Sequence, residues 1–217
     1  MIFPHPEEAL EDGLLAVGGD LSMERILLAY QQGIFPWYSE GSPILWWSTN
    51  PRMVLFPDKL VITKSLQQVI NRKAYEVKFD HDFSTVIRQC ASVARKEQAG
   101  TWITEEIVQA YELLHHQGYA HSVEAYDEGE LVGGLYGISM GKVFFGESMF
   151  HLKPDASKVA LYYLVEKLKS WHFQLIDAQQ ETEHLKRMGA IAIPRKEFLE
   201  ILKTAVNEKS HIGNWEH

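Results

Sequence analysis

The fold of this chain is decided by residues 131–179, which read LVGGLYGISMGKVFFGESMFHLKPDASKVALYYLVEKLKSWHFQLIDAQ. Three apolar runs in this stretch are short, rich in branched and aromatic residues, and bounded by glycine or charged residues, as buried strands are. They are Leu131–Ile138, Val143–Phe150 and Phe173–Ile176. Between the second and third runs, Ala156–Trp171 repeats its apolar residues at a helical period. The predicted order is therefore strand, strand, helix, strand.

Three polar side chains lie within or just after these apolar runs, where a buried strand would be expected to carry apolar residues. Glu147 follows the VFFG segment, residues 143–146, inside the second run, and Asp177 and Gln179 end the third strand. Burying the Glu147 carboxylate behind Phe144 and Phe145 is costly unless it has a partner. Carboxylates at strand ends beside a hydrophobic pocket suggest chemistry, although Asp177 could equally be a helix cap after a strand.

Composition narrows the class of protein. The chain has 217 residues, of which 46% are hydrophobic and 12% aromatic, enough to fill a real core. No apolar run reaches membrane-spanning length, and we recognise no signal sequence at the start of the chain. The single cysteine, Cys90, fits a reducing compartment. We therefore expect a cytoplasmic protein. No Cys/His spacing indicates a metal site. A net charge of −8 argues against non-specific nucleic-acid binding, so any RNA contact must be local and shape-specific.

The N-terminal third is rich in proline, glycine and aromatic residues. A helix is predicted from Ser22, as N-cap, to Gly33, as C-cap. Trp37, Trp46 and Trp47 follow within fifteen residues of that helix. Tryptophans so close together in sequence can stack on nucleic-acid bases, or they can cover the hydrophobic core. Burial against the core is the commoner outcome.

The middle of the chain alternates helices and strands without an internal repeat. The predicted elements are strand Pro51–Phe56, helix Ser65–Arg72, strand Tyr75–Phe79, helices Asp82–Arg95 and Glu105–His116, and strand His121–Tyr126. Thr63 and Thr104 are predicted N-caps. The pattern indicates an α+β fold with a mostly antiparallel sheet flanked by helices. A weakly marked boundary divides an N-terminal domain, residues 1–62, from a larger one, residues 63–217.

Positive charge is concentrated around the predicted helix after residue 63. Lys64, Arg72 and Lys73 are the basic residues at its two ends. A basic face in an acidic protein is a candidate phosphate-backbone site, and a solvated helix face is the alternative interpretation.

A series of motifs now makes the chain resemble a known family. They are GLLAVGGDL at Gly13–Leu21, YQQGIFPW at Tyr30–Trp37, ILWWS at Ile44–Ser48, PRMVL at Pro51–Leu55, GTWIT at Gly100–Thr104, AHSVE at Ala120–Glu124, LVGGLYG at Leu131–Gly137, FGESMF at Phe145–Phe150, ASKVAL at Ala156–Leu161, LIDAQ at Leu175–Gln179 and GAIAIPR at Gly189–Arg195. Together they resemble the bacterial leucyl/phenylalanyl-tRNA–protein transferases, in order and over nearly the whole chain. Any single motif is weak, whereas their combination is highly specific.

The resemblance implies a small N-terminal α/β domain followed by an acetyltransferase-like domain. It implies transfer of Leu or Phe, and less readily Met, from aminoacyl-tRNA to the α-amine of an N-terminal Arg or Lys of a protein. The modified protein is then marked for degradation by the N-degron pathway. The resemblance implies no organic or metal cofactor, because an aminoacyl ester is already activated, and we expect a monomer.

The resemblance also assigns roles to particular residues. It implies that Asp177, Gln179 and Glu147 lie at the reaction centre, where Asp177 could accept a proton directly or through Gln179. Glu147 could bind the cationic acceptor terminus or orient the ribose. Trp37 and Trp102 are implied in holding the terminal adenosine of tRNA, and Lys64, Arg72 and Lys73 become the candidate contacts for its backbone.

An apolar pocket for the aminoacyl side chain is implied as well. The residues that the resemblance places in its wall are Leu135, Phe144, Leu161 and Ile176. Leu164 and Leu168 follow Leu161 at helical spacing and are expected to extend the wall. For each residue taken alone, ordinary core packing is the alternative.

Two other functions compete with this interpretation. An acyl-CoA-dependent transferase usually carries a glycine-rich loop before the helix, and the corresponding turn here, Lys153–Lys158, contains no glycine. A non-catalytic protein that binds tRNA or degrons is disfavoured by the presence of Glu147, Asp177 and Gln179. An activity assay with an Asp177→Ala control distinguishes such a binding protein from an enzyme.

Overall fold

The computed structural model describes residues 2–92 and 102–216, which form an α+β fold with two sheets of unequal size. The strands are β1 Leu14–Val17, β2 Phe35–Pro36, β3 Leu45–Trp47, β4 Arg52–Leu55, β5 Glu76–Phe79, β6 Ala120–Asp127, β7 Glu130–Met140, β8 Val143–His151, β9 Leu175–Gln179 and β10 Ile191–Ile193. The helices are α1 Met23–Gln31, α2 Lys64–Asn71, α3 Phe83–Ser92, α4 Glu105–His116, α5 Ala156–Ser170, α6 Glu183–Arg187 and α7 Arg195–Ala205. The predicted α+β class is confirmed.

The small sheet has the order β1–β3–β2 and is antiparallel. Trp46 on β3 is buried, packs edge-on against Phe3, and donates its indole N–H to the carbonyl of Gly18 at 2.9 Å. This tryptophan therefore belongs to the core. Trp37, just after β2, is only partly buried and packs edge-on against Trp47.

The large sheet has the order β10–β4–β9–β8–β7–β6–β5. Strands β8 and β9 run parallel and are joined by α5, whereas the other neighbouring strands are antiparallel. Helices α3 and α4 pack on the sheet with one hydrophobic cluster and α5 packs with another. Close approach of α5 requires a glycine in β7, because a Cβ at Gly133 would lie 2.5 Å from the Cβ of Ala156.

Strand β4 belongs to the large sheet, where it pairs with both β9 and β10. The predicted N-terminal domain of residues 1–62 thus contributes Arg52–Leu55 to the sheet that carries most of the C-terminal part. The predicted division at residue 62 stays a prediction. The strand pairing matters for function because it brings β4 beside the polar end of β9.

The predicted order strand, strand, helix, strand over residues 131–179 is confirmed, with one shift. The last strand begins at Leu175 instead of Phe173. His172 adopts a left-handed conformation with φ 58°, and the Phe173 N–H donates to the carbonyl of Leu168 at 2.9 Å. Phe173 therefore closes the end of α5, as in a Schellman-type cap, before the strand begins.

The caps of two helices are confirmed. The side chains of Thr63 and Thr104 accept hydrogen bonds from the N–H groups of Leu66 and Ile107. Ser22 occupies the N-cap position of α1, but its hydroxyl bonds to Asp20 instead. The predicted continuation of α3 to Arg95 and the first residues of the motif at 100–104 lie outside the described residues. Over residues 2–92 and 102–216, no helix combines the length and apolar character needed to cross a membrane.

Candidate active site

A cavity of about 360 Å³ lies between the two sheets, beside the parallel pair β8 and β9. One side is formed by residues around β2 and by Trp102. The other is formed by β7, β8, β9, α5 and the segment from Gln179 to Leu185. The cavity therefore lies where the N-terminal third meets the large sheet.

The inner part of the cavity is apolar. Five of the six residues predicted for the aminoacyl pocket line it: Leu135, Phe144, Leu161, Leu164 and Ile176. All five are buried. They reach the cavity from β7, β8, α5 and β9, which explains why residues so far apart in sequence share one wall.

Leu168 is not part of this wall. It is fully buried in the hydrophobic cluster under α5 and packs away from the cavity. Leu161 and Leu168 share a helix face, but seven residues advance the chain by about 10 Å, which carries Leu168 past the cavity. The expected extension of the pocket thus stops at Leu164.

The two tryptophans that the resemblance implies in holding the terminal adenosine, Trp37 and Trp102, border the same cavity. Trp37 is partly exposed, and its carbonyl accepts a hydrogen bond from the Trp47 indole at 2.6 Å. Trp102 is 9% exposed and lies just before α4. Two aromatic rings at one cavity provide surfaces on which a base or another ring can stack.

The polar part of the cavity is centred on Glu147 of β8, which is held by three side chains. Its Oε1 accepts hydrogen bonds from the Tyr30 hydroxyl at 2.7 Å and from the Gln179 amide at 2.9 Å. Its Oε2 accepts from the Tyr111 hydroxyl at 3.3 Å, and the two tyrosine oxygens are 2.6 Å apart. The partners that a half-buried carboxylate requires are therefore present.

The environment of Glu147 leaves its carboxyl group partly protonated and partly ionised near neutral pH. Burial raises the pKa of Glu147 to about 7; the charge of Asp177 adds to the rise, and the hydrogen bond from Tyr30 opposes it. Burial also raises the pKa of both Tyr30 and Tyr111, so the two phenols stay protonated as donors. A carboxyl group that exchanges a proton near pH 7 is suited to general acid–base chemistry.

Asp177 lies behind this polar group and does not border the cavity. Its carboxylate is fully buried and pairs with the equally buried Arg52 through two bonds, Nε to Oδ1 at 2.8 Å and Nη2 to Oδ2 at 2.7 Å. The Arg52 guanidinium is sandwiched between the rings of Phe35 and Phe198, at 4.8 and 4.7 Å. The three predicted reaction-centre residues are thus neighbours, but Glu147 and Gln179 face the cavity and Asp177 supports them.

Gln179 has an unusual backbone for its residue type. Its φ of 56° is left-handed, a conformation that costs a non-glycine residue roughly 1–2 kcal/mol. Its N–H donates to Asp177 Oδ1 at 3.0 Å, and its carbonyl accepts from the Thr49 hydroxyl at 2.9 Å. Strained backbone of this kind persists where the surroundings hold it, and it clusters at functional sites.

The side chains that bind the Glu147 and Asp177 carboxylates, Tyr30, Arg52 and Tyr111, were not predicted as site residues from the sequence. Tyr30 and Arg52 lie within recognised motifs, at the start of YQQGIFPW and in PRMVL, and those positions were the available signal. Tyr111 lies on the buried face of α4 and gave no signal beyond core periodicity.

The predicted tRNA-backbone residues are exposed and lie at α2 rather than at the cavity. Lys64 is its first residue, and Arg72 and Lys73 follow its last. Eight helical residues separate the two ends by about 12 Å, so the three charges form a line, not a compact cluster. Within the described part of the chain, no carboxylate forms an ion pair with any of them.

Comparisons with known proteins show the family of the chain. Solved structures with a similar backbone trace include that of L-PGS from Bacillus licheniformis, which is 13% identical in sequence. The superposition covers 86% of this chain and 71% of that chain, with a TM-score of 0.43. The model described as "Leucyl/phenylalanyl-tRNA protein transferase" matches residues 54–203, and its N-terminal domain model matches residues 19–50.

Curated relatives align over nearly the whole chain. The leucyl/phenylalanyl-tRNA–protein transferase of Myxococcus xanthus is 57% identical over 214 residues, covering 99% of this chain and 92% of the relative. The protein of the same name from Syntrophobacter fumaroxidans is 56% identical over 216 residues, covering 100% of this chain and 92% of that one. Matches of this extent and identity show that the chain belongs to the leucyl/phenylalanyl-tRNA–protein transferase family.

Proposed function

We propose that this protein transfers leucine or phenylalanine, and methionine less readily, from aminoacyl-tRNA to the α-amine of an N-terminal Arg or Lys of a protein. The new peptide bond marks the acceptor for degradation by the N-degron pathway, and the enzyme acts as a cytoplasmic monomer. The observation that carries the proposal is an apolar cavity with Glu147 and Gln179 together at its polar side. The family relatives bear the name of this activity.

The reaction is an aminolysis and needs no covalent enzyme intermediate. The neutral α-amine attacks the ester carbonyl that joins the amino acid to the terminal ribose, a C–N bond forms, and the C–O bond to the ribose breaks. The amine loses a proton and the ribose oxygen gains one. Because the ester is already activated, orientation and charge stabilisation supply most of the catalysis.

Glu147 is the proposed proton acceptor in this reaction. Its pKa of about 7 lies close to that of an α-amine, about 8, so it can take the proton without holding it too tightly. The alternative acceptor, Asp177, has both oxygens engaged by Arg52 and stands behind the cavity wall. Gln179 is proposed to orient the reacting groups through its side-chain amide, which donates to Glu147 in the structure.

The apolar wall is proposed to select the transferred amino acid. Leu135, Phe144 and Leu161 are among the side chains that enclose the inner space, and an apolar side chain without a branch at Cβ is proposed to fit such a surface. Discrimination of one methylene in an apolar pocket is worth about 1–3 kcal/mol. This modest selectivity supports acceptance of Leu, Phe and Met together with rejection of polar side chains.

The nucleic-acid part of the substrate is proposed to bind at two places. Trp37 and Trp102 stack on the terminal adenosine, a contact worth about 1–3 kcal/mol per base. Lys64, Arg72 and Lys73 contact the acceptor backbone. Since the net charge of the chain is −8, these contacts have to be local.

The proposal is tested by transfer of radiolabelled leucine from leucyl-tRNA to a peptide with N-terminal arginine. A peptide blocked at its α-amine is the control. Label in the free peptide alone supports both the reaction and the nucleophile. Transfer from leucyl-CoA but not from leucyl-tRNA overturns the proposal in favour of an acyl-CoA enzyme, and tRNA binding without transfer leaves a binding protein.

A further inference from the structure

We infer that Arg52 is a positioning residue for the transfer reaction: through the Asp177 carboxylate it holds Gln179 in the left-handed conformation that aims its side chain at Glu147. This inference rests on the proposed function, and it adds a residue that lies outside the cavity wall. The chain of contacts runs from Arg52 on β4 to Asp177 and Gln179 on β9, and from there to Glu147 on β8.

The first step is the fixed position of the Arg52 guanidinium. Its central carbon lies over the rings of Phe35 and Phe198, and the side chain is fully buried. Phe35 itself borders the cavity, so the guanidinium lies directly behind the cavity wall. Its two bonds to Asp177 use the planar fork of arginine, a geometry that lysine cannot reproduce.

The second step is the carboxylate between Arg52 and Gln179. Oδ1 of Asp177 accepts from Arg52 Nε and from the Gln179 backbone N–H at the same time. The pairing of β4 with β9 changes register between Met53 and Val54, opposite this segment. An irregularity of this kind frees a residue from the regular alternation of the strand, and beside active sites it re-aims side chains. Here it lets the chain turn at Gln179.

The third step is the conformation that these bonds maintain. A left-handed glutamine reverts to an ordinary backbone unless its surroundings hold it. The Thr49 hydroxyl holds the carbonyl of Gln179, and Asp177 holds its N–H. Without the two hydrogen bonds from the Arg52 guanidinium, the Asp177 carboxylate is free to rotate. The Gln179 side-chain amide then no longer points at Glu147.

Stability alone does not account for the ion pair. Buried ion pairs are often replaceable by apolar residues without loss of stability, so a pair of this kind is weak evidence for a stabilising role. The guanidinium Nη1 is also buried without a hydrogen-bond partner among the described residues, which is unfavourable. A requirement for geometry at Gln179 explains why the pair is present.

The test compares two variants with the unaltered chain. Arg52→Lys keeps the charge and loses the fork. The double variant Arg52→Met/Asp177→Leu removes both charges and leaves an apolar, foldable site. We expect both to lower kcat by about 10- to 100-fold, the loss that misplacement by about 1 Å can cause, with little change in the KM for leucyl-tRNA. Arg88→Lys, which alters an exposed bidentate pair with Glu105, is the matched control and should retain full activity.

A second readout separates this inference from the proposed function. Hydrogen exchange at the Gln179 amide should accelerate in both Arg52 variants and stay slow in Arg88→Lys, whether or not the chain transfers leucine. The inference is overturned if the double variant is as stable as the unaltered chain and also keeps its full kcat and slow exchange at the Gln179 amide. Arg52 would then have a structural role only. An unaltered chain that transfers no leucine overturns the proposed function instead, while the exchange rate still decides the role of Arg52.

Discussion

Replacing Glu147 with glutamine should make the protein more stable at alkaline pH and less active. The carboxyl of Glu147 has its pKa raised from the ordinary 4.5 to about 7 in the folded chain, chiefly by burial. Between those two values the folded state binds more protons than the unfolded state. The free energy of unfolding therefore falls as pH rises from about 4.5 to 7, and it is lowest above 7. Glutamine has no proton to lose and escapes this decline.

The size of the effect follows from the same two values. A tenfold change in a proton equilibrium corresponds to about 1.4 kcal/mol, so ionising Glu147 inside the fold opposes stability by about 3 kcal/mol at pH 8 and by less than about 1 kcal/mol at pH 5. The Glu147→Gln variant should thus gain about 2–3 kcal/mol relative to the unaltered chain between pH 5 and pH 8. The amide oxygen that this substitution introduces can still accept hydrogen bonds from Tyr30 and Gln179.

Urea unfolding followed by tryptophan fluorescence, at pH 5 and pH 8, measures this gain. Glu166→Gln, which changes an exposed glutamate paired with Lys169 on α5, is the control and should show no pH-dependent gain. Leucyl transfer by Glu147→Gln should fall by about 10²- to 10⁴-fold, as expected for loss of a general base. If the stabilities of the variant and the unaltered chain change in parallel within about 0.5 kcal/mol, Glu147 does not titrate as described.

Four further outcomes are expected. Trp102→Ala should weaken leucyl-tRNA binding by about 5- to 150-fold in a filter-binding assay and leave transfer at saturating tRNA nearly unchanged, since one stacked base is worth about 1–3 kcal/mol. Leu161→Phe should lower transfer of phenylalanine more than of leucine, because the added ring occupies the cavity; equal losses would contradict its place in the wall. Leu168→Ala should destabilise the protein by about 2–5 kcal/mol in urea unfolding without altering the Leu-to-Phe ratio. Arg72→Ala should reduce the salt dependence of tRNA binding by about one counterion, and an unchanged slope would exclude it from the backbone contact.

Local patterns in the sequence were enough to predict most of the secondary structure. The glycine-bounded apolar runs at β7 and β8 and the helical period of α5 are properties of adjacent residues, so they predict elements reliably. The short strands β1, β2, β3 and β10 were not predicted, because each has only two to four residues and none lies within a longer strand-like run, as β4 and β5 do. Their pairing comes from distant partners.

The site was only partly predictable for the same reason. Glu147 inside an apolar run and Gln179 at the end of a strand are conspicuous as polar residues, and the family resemblance assigned both to the reaction centre. The partner of Asp177 is Arg52, 125 positions away, and the partners of Glu147 are Tyr30 and Tyr111, 117 and 36 positions away. Contacts over such separations depend on the order of strands in the sheet, which no local pattern contains. The sequence therefore suggested Asp177 as a proton acceptor, although the fold buries its carboxylate completely.

Glu147 and Gln179 are proposed to act together on the aminoacyl ester at the polar side of the cavity. The most direct test is the single-turnover rate of leucyl transfer to an N-terminal arginine peptide by Gln179→Ala, with leucyl-tRNA bound to saturation. We predict a fall of about 100-fold with unaltered tRNA affinity, because the amide that orients the reacting groups is gone. A rate equal to that of the unaltered chain would contradict the claim and place the chemistry elsewhere.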